Sequence, residues 1–111
     1  MRSTSEEDYL KAIFSLQKEG QPISTNELAL HLEMKPSSIT DMLKKLADKG
    51  WVNYIKYKGV TLTKDGTNIA ISIVRKHRLW ETFLVSNLNF RWDEVHEIAE
   101  QLEHINSDEL I

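Results

Sequence analysis

The stretch STNELALHLEMKPSSITDMLKKLADKG, residues 24–50, decides the fold. Ser24, with Glu27 three residues later, is the signature of a capping box at the start of a short helix, which we expect to end near Glu33. Pro36 suits the first turn of a second helix, and Gly50 suits the position just after its end. Two short helices joined by a few residues indicate a helix-turn-helix.

The residues after Gly50 change from helical to strand character. The stretch WVNYIKYKGVTLT, residues 51–63, is rich in β-branched and aromatic residues on both sides of KYKG. This pattern predicts a hairpin of two short strands. A hairpin that directly follows a helix-turn-helix is a wing.

Apolar residues at helical spacing predict further helices on both sides of this segment. We expect helices over residues 5–18, over residues 63–87 with Thr63 as N-cap, and from residue 92 or 93 to about 105, with another helix starting at Ser107. Because the chain stops inside that last helix, we expect it to be shortened at its C-terminus. The predicted fold class is mainly α with a small β-hairpin wing: a winged helix-turn-helix domain over residues 1–63, followed by a helical domain over residues 64–111.

The composition excludes several classes of protein. The 111 residues suffice for one domain or two small subdomains, and there is no cysteine to form a disulfide or a thiolate metal site. No apolar run is long enough to span a bilayer, and the N-terminus lacks the apolar core of a signal peptide. These features predict a cytoplasmic protein without a membrane partner.

Charge is distributed unevenly along the chain. Residues 35–78 include ten basic and three acidic side chains, a net charge of +7, whereas residues 79–111 include one basic and eight acidic side chains, a net charge of −7. The middle of the chain is therefore suited to an anionic partner. The C-terminal third is suited to a cation, or only to solvent.

The outer face of the second helix of the helix-turn-helix carries short hydroxyl and basic side chains. Hydroxyls near a helix N-terminus bond phosphates or base edges, lysines neutralise phosphates, and the major groove accepts one α-helix. We therefore expect duplex DNA as the partner, although a solvated basic face has the same composition. The expected DNA-binding residues, with two lysines from the wing, are Lys35, Pro36, Ser37, Ser38, Thr40, Asp41, Lys44, Lys45, Lys56 and Lys58.

A second candidate site lies in the stretch HEIAEQLEH, residues 96–104. Steps of three and four residues return to one face of a helix. Steps of four and three residues separate His96, Glu100 and Glu103, and His104 follows directly. In the preceding helix, His77 and Glu81 are again four residues apart. Mixed nitrogen and oxygen ligands suit divalent cations such as Mn²⁺, but acidic solvated faces share this spacing.

The chain resembles the DtxR/MntR family of iron- and manganese-dependent transcriptional repressors. The resemblance rests on EDYLKAIF, MKPSSITDMLKKL, GWVNYIKYKGVTLTKDG, RKHRLWETFL and VHEIAEQLEHINSDEL, which follow in order over nearly the whole chain. It implies a homodimer that binds operator DNA when loaded with Mn²⁺ or Fe²⁺ and controls metal homeostasis, rather than an enzyme. Residues 64–111 would then form the metal-binding and dimerisation domain.

The resemblance also implies the metal ligands. A primary site would take Asp8, Glu100, Glu103 and His104; His77 falls on a ligand of both branches of the family, and Glu81 and His96 fall on the ancillary site of the iron-type members. Iron-type members have methionine and cysteine where this chain has Asp8 and Glu100, so oxygen at both positions favours manganese. Manganese-type members with a two-metal cluster have a glutamate where this chain has Lys11.

Ligands from both the first and the fifth helix suggest a mechanism in which metal holds the DNA-binding domain against the dimerisation domain and so fixes the spacing of two recognition helices. Trp80, Phe83 and Leu84 are candidates for the dimer contact or for the core within one chain. Two other functions fit part of the sequence. One is a winged-helix repressor that senses a small organic ligand or a partner protein; the other is a helical carboxylate metalloenzyme, for which the sequence offers no evident nucleophile.

Overall fold

The computed structural model describes residues 2–18, 20–88 and 91–105. In chain order the elements are α1 (Thr4–Leu16), α2 (Thr25–Leu32), α3 (Pro36–Asp48), β1 (Val52–Ile55), β2 (Gly59–Leu62), α4 (Lys64–Leu88) and α5 (Trp92–Leu102). The two strands pair antiparallel as a hairpin. This arrangement confirms the predicted class, mainly α with a hairpin wing, whereas the helix expected to start at Ser107 lies outside the described residues.

The chain divides into two compact units, residues 1–70 and residues 71–111. The division falls inside α4, so that this helix contributes its first residues to the first unit and the remainder to the second. The domain boundary expected between residues 63 and 64 stays a prediction. Among the described helices, none combines the length and the apolar character that crossing a membrane would require.

Local sequence signals set the ends of α2. The backbone N–H of Glu27 donates to the hydroxyl of Ser24 at 3.0 Å, as expected of an N-cap. The second hydrogen bond of the expected capping box is different. The Glu27 carboxylate accepts from the Ser24 hydroxyl at 3.3 Å rather than from the Ser24 backbone N–H. The helix ends where Glu33 adopts a left-handed conformation with φ of 56°.

The helix α3 begins and ends where the sequence predicts. Pro36 occupies its first turn, and Gly50 follows its end with φ of +80°, while the Trp51 N–H donates to the Leu46 carbonyl at 3.1 Å. This bond is typical of a glycine-terminated helix. The inward face is fully buried at Ile39, Leu43 and Leu46. The helix is therefore fixed along its length with its polar face outward.

The wing is attached to the rest of the first unit by a contact that the sequence did not predict. Ile23 and Val60 exchange two backbone hydrogen bonds, each of 2.9 Å, which add a bridge to the free side of β2. A Cβ atom on Gly59 would lie 2.4 Å from the Ile23 carbonyl oxygen. Only glycine fits this close approach of two backbones.

Thr63 joins the wing to α4. Its hydroxyl accepts from the Gly66 N–H at 3.1 Å and donates to the Gly50 carbonyl at 2.8 Å, and its N–H donates to the Trp51 carbonyl at 3.1 Å. The predicted N-cap is therefore confirmed. The same residue also closes the base of the hairpin onto the end of α3.

The helix α1 packs on the core of the first unit through Tyr9, Leu10 and Ile13. It runs over Thr4–Leu16 rather than over the predicted residues 5–18. It starts earlier because Ser3 and Glu6 form a full capping box, and it ends earlier because Gln17 is extended and Lys18 bridges Gln21. The buried Glu6 carboxylate also accepts a hydrogen bond from the ammonium of Lys49, beyond the end of α3. An ion pair therefore links the start of α1 to the end of α3.

The second unit has a small core in which Leu84, Val95 and Ala99 are buried. Leu84 thus belongs to the core within one chain, whereas Phe83 keeps 42% of its surface exposed. The helix α5 ends at Leu102, not near residue 105 as predicted. The reason is a tighter turn, since the Ile105 N–H bonds the Leu102 carbonyl, three residues back, at 3.0 Å.

Candidate metal centre and DNA-binding surface

The expected DNA-binding residues form an exposed surface on α3 and the wing. All are exposed except Thr40, namely Lys35, Pro36, Ser37, Ser38, Asp41, Lys44, Lys45, Lys56 and Lys58. Thr40 is half-buried, and its hydroxyl donates to the Pro36 carbonyl at 3.1 Å. The hydroxyl proton of Thr40 is therefore committed to its own helix, which leaves the oxygen as an acceptor only.

The electrostatics of this surface suit phosphate at the start of α3. No acidic residue lies in the first turn of the helix, and Lys35 at the N-cap makes no side-chain capping bond. The partial positive charge of the helix N-terminus is therefore not neutralised locally, and the exposed hydroxyls of Ser37 and Ser38 stand beside it. Their participation in DNA binding stays a prediction.

Three of the expected metal ligands meet in the second unit. His77 Nε2 lies 3.2 Å from Glu81 Oε1 and 3.3 Å from His96 Nδ1, and His96 Nδ1 lies 3.6 Å from Glu81 Oε2. One potential ligand atom from each residue falls within 4.8 Å of the other two. The sequence placed these residues on two helices, and the packing of α4 on α5 brings them together.

Two of these spacings, 3.2 Å from His77 Nε2 to Glu81 Oε1 and 3.3 Å from His77 Nε2 to His96 Nδ1, are those of donors around a divalent cation. Ligand bonds of about 2.1 Å in tetrahedral or octahedral geometry place neighbouring donor atoms roughly 3.0–3.4 Å apart. The side chains of His77 and Glu81 are only 13% and 18% exposed, whereas that of His96 is 68% exposed, so the group opens to solvent on the α5 side. Two imidazoles and a carboxylate suit manganese, iron or zinc.

A fourth residue, Glu103, lies on the other side of the His77 ring. Its side chain is fully buried, and Oε1 lies 3.5 Å from His77 Nδ1. The geometry falls short of a hydrogen bond, and within the described residues this buried Nδ1 has no hydrogen-bond partner. The His77 ring is therefore flanked by one carboxylate at each nitrogen. A cation among these groups would offset the cost of keeping their negative charge away from water.

The remaining expected ligands are placed less closely. Glu100 is half-exposed, with Oε2 at 3.9 Å from His96 Nε2, and His104 is half-buried just beyond α5. Asp8 is half-buried on α1, in the first unit. Their assignment to a primary site stays a prediction. The contact between Glu103 and His77, residues expected in different groups, had no local signal in the sequence because the two are far apart along the chain.

Models of two protein domains match this chain end to end. Residues 1–60 match the N-terminal DNA-binding domain of iron-dependent repressors, and residues 63–111 match the metal-binding and dimerisation domain of the same proteins. The order and the extent of the two matches agree with the winged helix-turn-helix followed by helices.

Individual proteins are similar over most of this chain. An uncharacterised HTH-type transcriptional regulator of Methanocaldococcus jannaschii is 46% identical over 98% of this chain and 88% of its own length. The iron-dependent repressor IdeR of Mycobacterium leprae is 31% identical over 94% of this chain and 45% of its own length. The solved structure of a manganese-dependent transcriptional repressor in complex with manganese superposes with a TM-score of 0.80 at 45% identity, over 95% of this chain and 48% of the other. The chain thus spans about half the length of the last two proteins.

Proposed function

The chain belongs to the iron-dependent repressor family, and on that premise we propose that it is a metal-dependent transcriptional repressor that binds operator DNA as a homodimer. The observation that carries the proposal is the group formed by His77, Glu81 and His96 in a chain that also exposes a basic recognition helix. Neither feature alone would distinguish a metal sensor from an ordinary winged-helix protein.

Manganese is the proposed metal, with iron as the alternative. The residues that would hold it are His77, Glu81 and His96 in one site, and Asp8, Glu100, Glu103 and His104 in the other. When bound, the ion supplies positive charge that neutralises neighbouring carboxylates. Nitrogen and oxygen donors without any cysteine thiolate favour manganese over softer ions. Relatives described as manganese-dependent and iron-dependent support both choices.

The proposed homodimer would use the outward face of α4. Leu79 and Phe83 remain 46% and 42% exposed and are four residues apart, so they lie on the same face of the helix. The Trp80 ring contacts Phe83 edge-to-face at 5.7 Å, and within the described residues its buried indole nitrogen has no hydrogen-bond partner. A second copy of the chain would cover the exposed parts of Leu79 and Phe83.

Metal and DNA should affect each other's binding by the same factor, because coupling between two sites is reciprocal. The test is fluorescence anisotropy of a short duplex, selected from a random pool with the wild-type protein and Mn²⁺, measured in MnCl₂ and in EDTA. We expect Mn²⁺ to raise the affinity about tenfold or more, within the range usual for such coupling. Mn²⁺, Fe²⁺ and Zn²⁺ titrated side by side would identify the preferred metal.

A pair of histidine variants gives the control. His77→Ala should lose the response to Mn²⁺, whereas His31→Ala, an exposed histidine of α2, should keep it. Tight DNA binding by the wild type that ignores both Mn²⁺ and EDTA would contradict the proposal and favour a repressor that senses a non-metal ligand or a partner protein.

A further inference from the structure

We propose that Tyr57, at the tip of the wing, inserts its aromatic ring into the DNA minor groove next to the major-groove segment read by α3. The inference rests on the proposed DNA binding and assigns the wing a contact beyond the two lysines Lys56 and Lys58. It is carried by the exposure, the backbone conformation and the neighbours of this one residue.

Tyr57 stands at a costly position that contributes little to the fold. Its surface is 94% exposed, so the large ring buries almost nothing within the chain. Its φ is +69°, in the left-handed region that glycine and asparagine adopt far more easily than an aromatic residue. Strained backbone of this kind is concentrated at functional sites. An exposed ring held in such a conformation is therefore explained better by a partner than by stability.

The base of the wing holds this tip firmly. Ile55 pairs with Gly59 across the hairpin, and the Lys58 N–H donates to the Ile55 carbonyl at 3.0 Å, which closes the turn. Behind it, the paired backbone of Ile23 and Val60 fixes β2 from its outer side. The turn is therefore short and held by hydrogen bonds, unlike a long loop. Little further conformational entropy is lost when a side chain on this turn binds a partner.

The charges around Tyr57 suit a polyanionic partner such as nucleic acid. The ammonium of Lys56 lies 5.2 Å from the centre of the Tyr57 ring, and Lys58 is exposed on the other side. An aromatic ring between two lysines matches the minor groove, where aromatic and apolar side chains insert between base steps and lysines meet the flanking phosphates. The major groove is assigned to α3, which belongs to the same compact unit. The adjoining minor groove is therefore the surface left for the wing.

The test compares Tyr57→Asn with the wild-type protein in MnCl₂, on the duplex selected for the wild type. Asparagine tolerates the left-handed conformation, so the variant should unfold at the same temperature or higher while its DNA affinity falls about tenfold. Hydroxyl-radical cleavage, which reports on the deoxyribose lining the minor groove, should lose one protected patch beside the recognition half-site. Tyr57→Phe keeps the ring and should retain both the affinity and the protection.

Charge variants separate this contact from simple attraction to phosphate. Tyr57→Asn should leave the slope of log affinity against log salt unchanged, whereas Lys58→Ala should reduce it by about one unit. Lys64→Ala removes an exposed lysine at the start of α4, outside the proposed interface, and is the matched control.

Unchanged affinity and protection in Tyr57→Asn would overturn the proposal. So would a lower unfolding temperature accompanying its loss of binding, since Tyr57 would then act through the fold, and so would an equal loss in Tyr57→Phe. If the wild type binds DNA without regard to Mn²⁺, the metal-dependent function fails while the Tyr57 comparison still decides this inference. If the wild type binds no duplex under any condition, both are wrong.

Discussion

Carboxylates shielded from water are neutralised in different ways in the two compact units. In the first unit, Glu6 accepts hydrogen bonds from the Lys49 ammonium and from the Ser3 backbone N–H, the latter at 2.9 Å. In the second unit, Glu81 faces the imidazoles of His77 and His96 at 3.2 and 3.6 Å. Lysine is a permanent cation at neutral pH, whereas histidine is cationic only when it is protonated.

The consequence is that a permanent cation balances the charge of Glu6, whereas ionisable imidazoles lie beside Glu81. Burial raises the pKa of Glu6, but the hydrogen bonds from Lys49 and Ser3 outweigh it and hold the pKa at about 2. That carboxylate needs no further partner. The imidazoles beside Glu81 carry positive charge only when they are protonated. The Glu6–Lys49 pair therefore serves the fold, whereas the group around Glu81 offers donor atoms to the proposed metal.

The largest expected effect tests the close packing at Gly66, in the first turn of α4. In Gly66→Ala the new Cβ would lie 1.9 Å from the Trp51 carbonyl oxygen, so backbone must shift where α4 meets the base of the wing. We expect a loss of about 3 kcal/mol in the free energy of unfolding, measured by urea denaturation followed by tryptophan fluorescence. Gly20→Ala meets no atom within 4 Å and costs only the strain of alanine at φ of +68°, about 1 kcal/mol, so it serves as the comparison. A loss in Gly66→Ala no larger than that in Gly20→Ala would contradict the predicted clash with the Trp51 carbonyl.

The second expected effect tests the proposed metal site at Glu81. Saturating Mn²⁺ should stabilise the wild-type protein by about 2.7 kcal/mol when its concentration is one hundred times the dissociation constant. Glu81→Gln keeps the size of the side chain but removes the charge, and should lose the part of this stabilisation that comes from the site of His77, Glu81 and His96. Thermal unfolding over a series of MnCl₂ concentrations measures it. Glu97→Gln, an exposed glutamate of α5, should behave as the wild type does; the same loss there would indicate general electrostatic screening instead.

The third prediction tests the ion pair between Glu6 and Lys49. Glu6→Gln should lower the free energy of unfolding by about 2 kcal/mol at pH 7, a value reduced from the full pKa shift because Lys49 is partly exposed. The folded-state pKa of Glu6 lies below its usual 4.5, so this stabilisation is present above pH 4.5 and is lost as the pH falls to about 2. The difference between wild type and variant, from urea denaturation at each pH, should shrink over that window. A difference that stayed constant with pH would rule out the ion pair as its cause.

The smallest expected effect concerns the N-cap of α2, which belongs neither to the Glu6–Lys49 pair nor to the proposed metal site. Ser24→Ala removes the oxygen that accepts from the Glu27 N–H at the start of α2, and should cost about 1 kcal/mol of stability. Asn26→Ala, an exposed position in the same turn, should cost less. Calorimetric titration with MnCl₂ should give the wild-type metal affinity in both variants; a weaker affinity in Ser24→Ala would mean that α2 and the metal site are coupled.

Features that depend on near neighbours in the chain were predictable. Pro36 and Gly50 mark the two ends of α3, and Thr63 caps α4. The β-forming residues between Gly50 and Thr63 make the hairpin, as the sequence indicated. The pairing of His77 with Glu81 follows from a step of four on one helix. The resemblance to metal-dependent repressors added His96 to this group. In each case the cause acts within one or two turns of the chain.

Other features required the packed structure. Helical spacing could not predict that α5 would end at Leu102 and leave Glu103 buried against His77. Nor could it predict that Lys49 would pair with Glu6 instead of joining the basic outer surface, or that Ile23 would bridge Val60. The sequence by itself determined which helices and turns form and which residue types are available for metal and DNA, because periodicity, caps and turns act locally. Only the tertiary structure decided which side chains meet, because contacts between distant residues depend on how the helices pack.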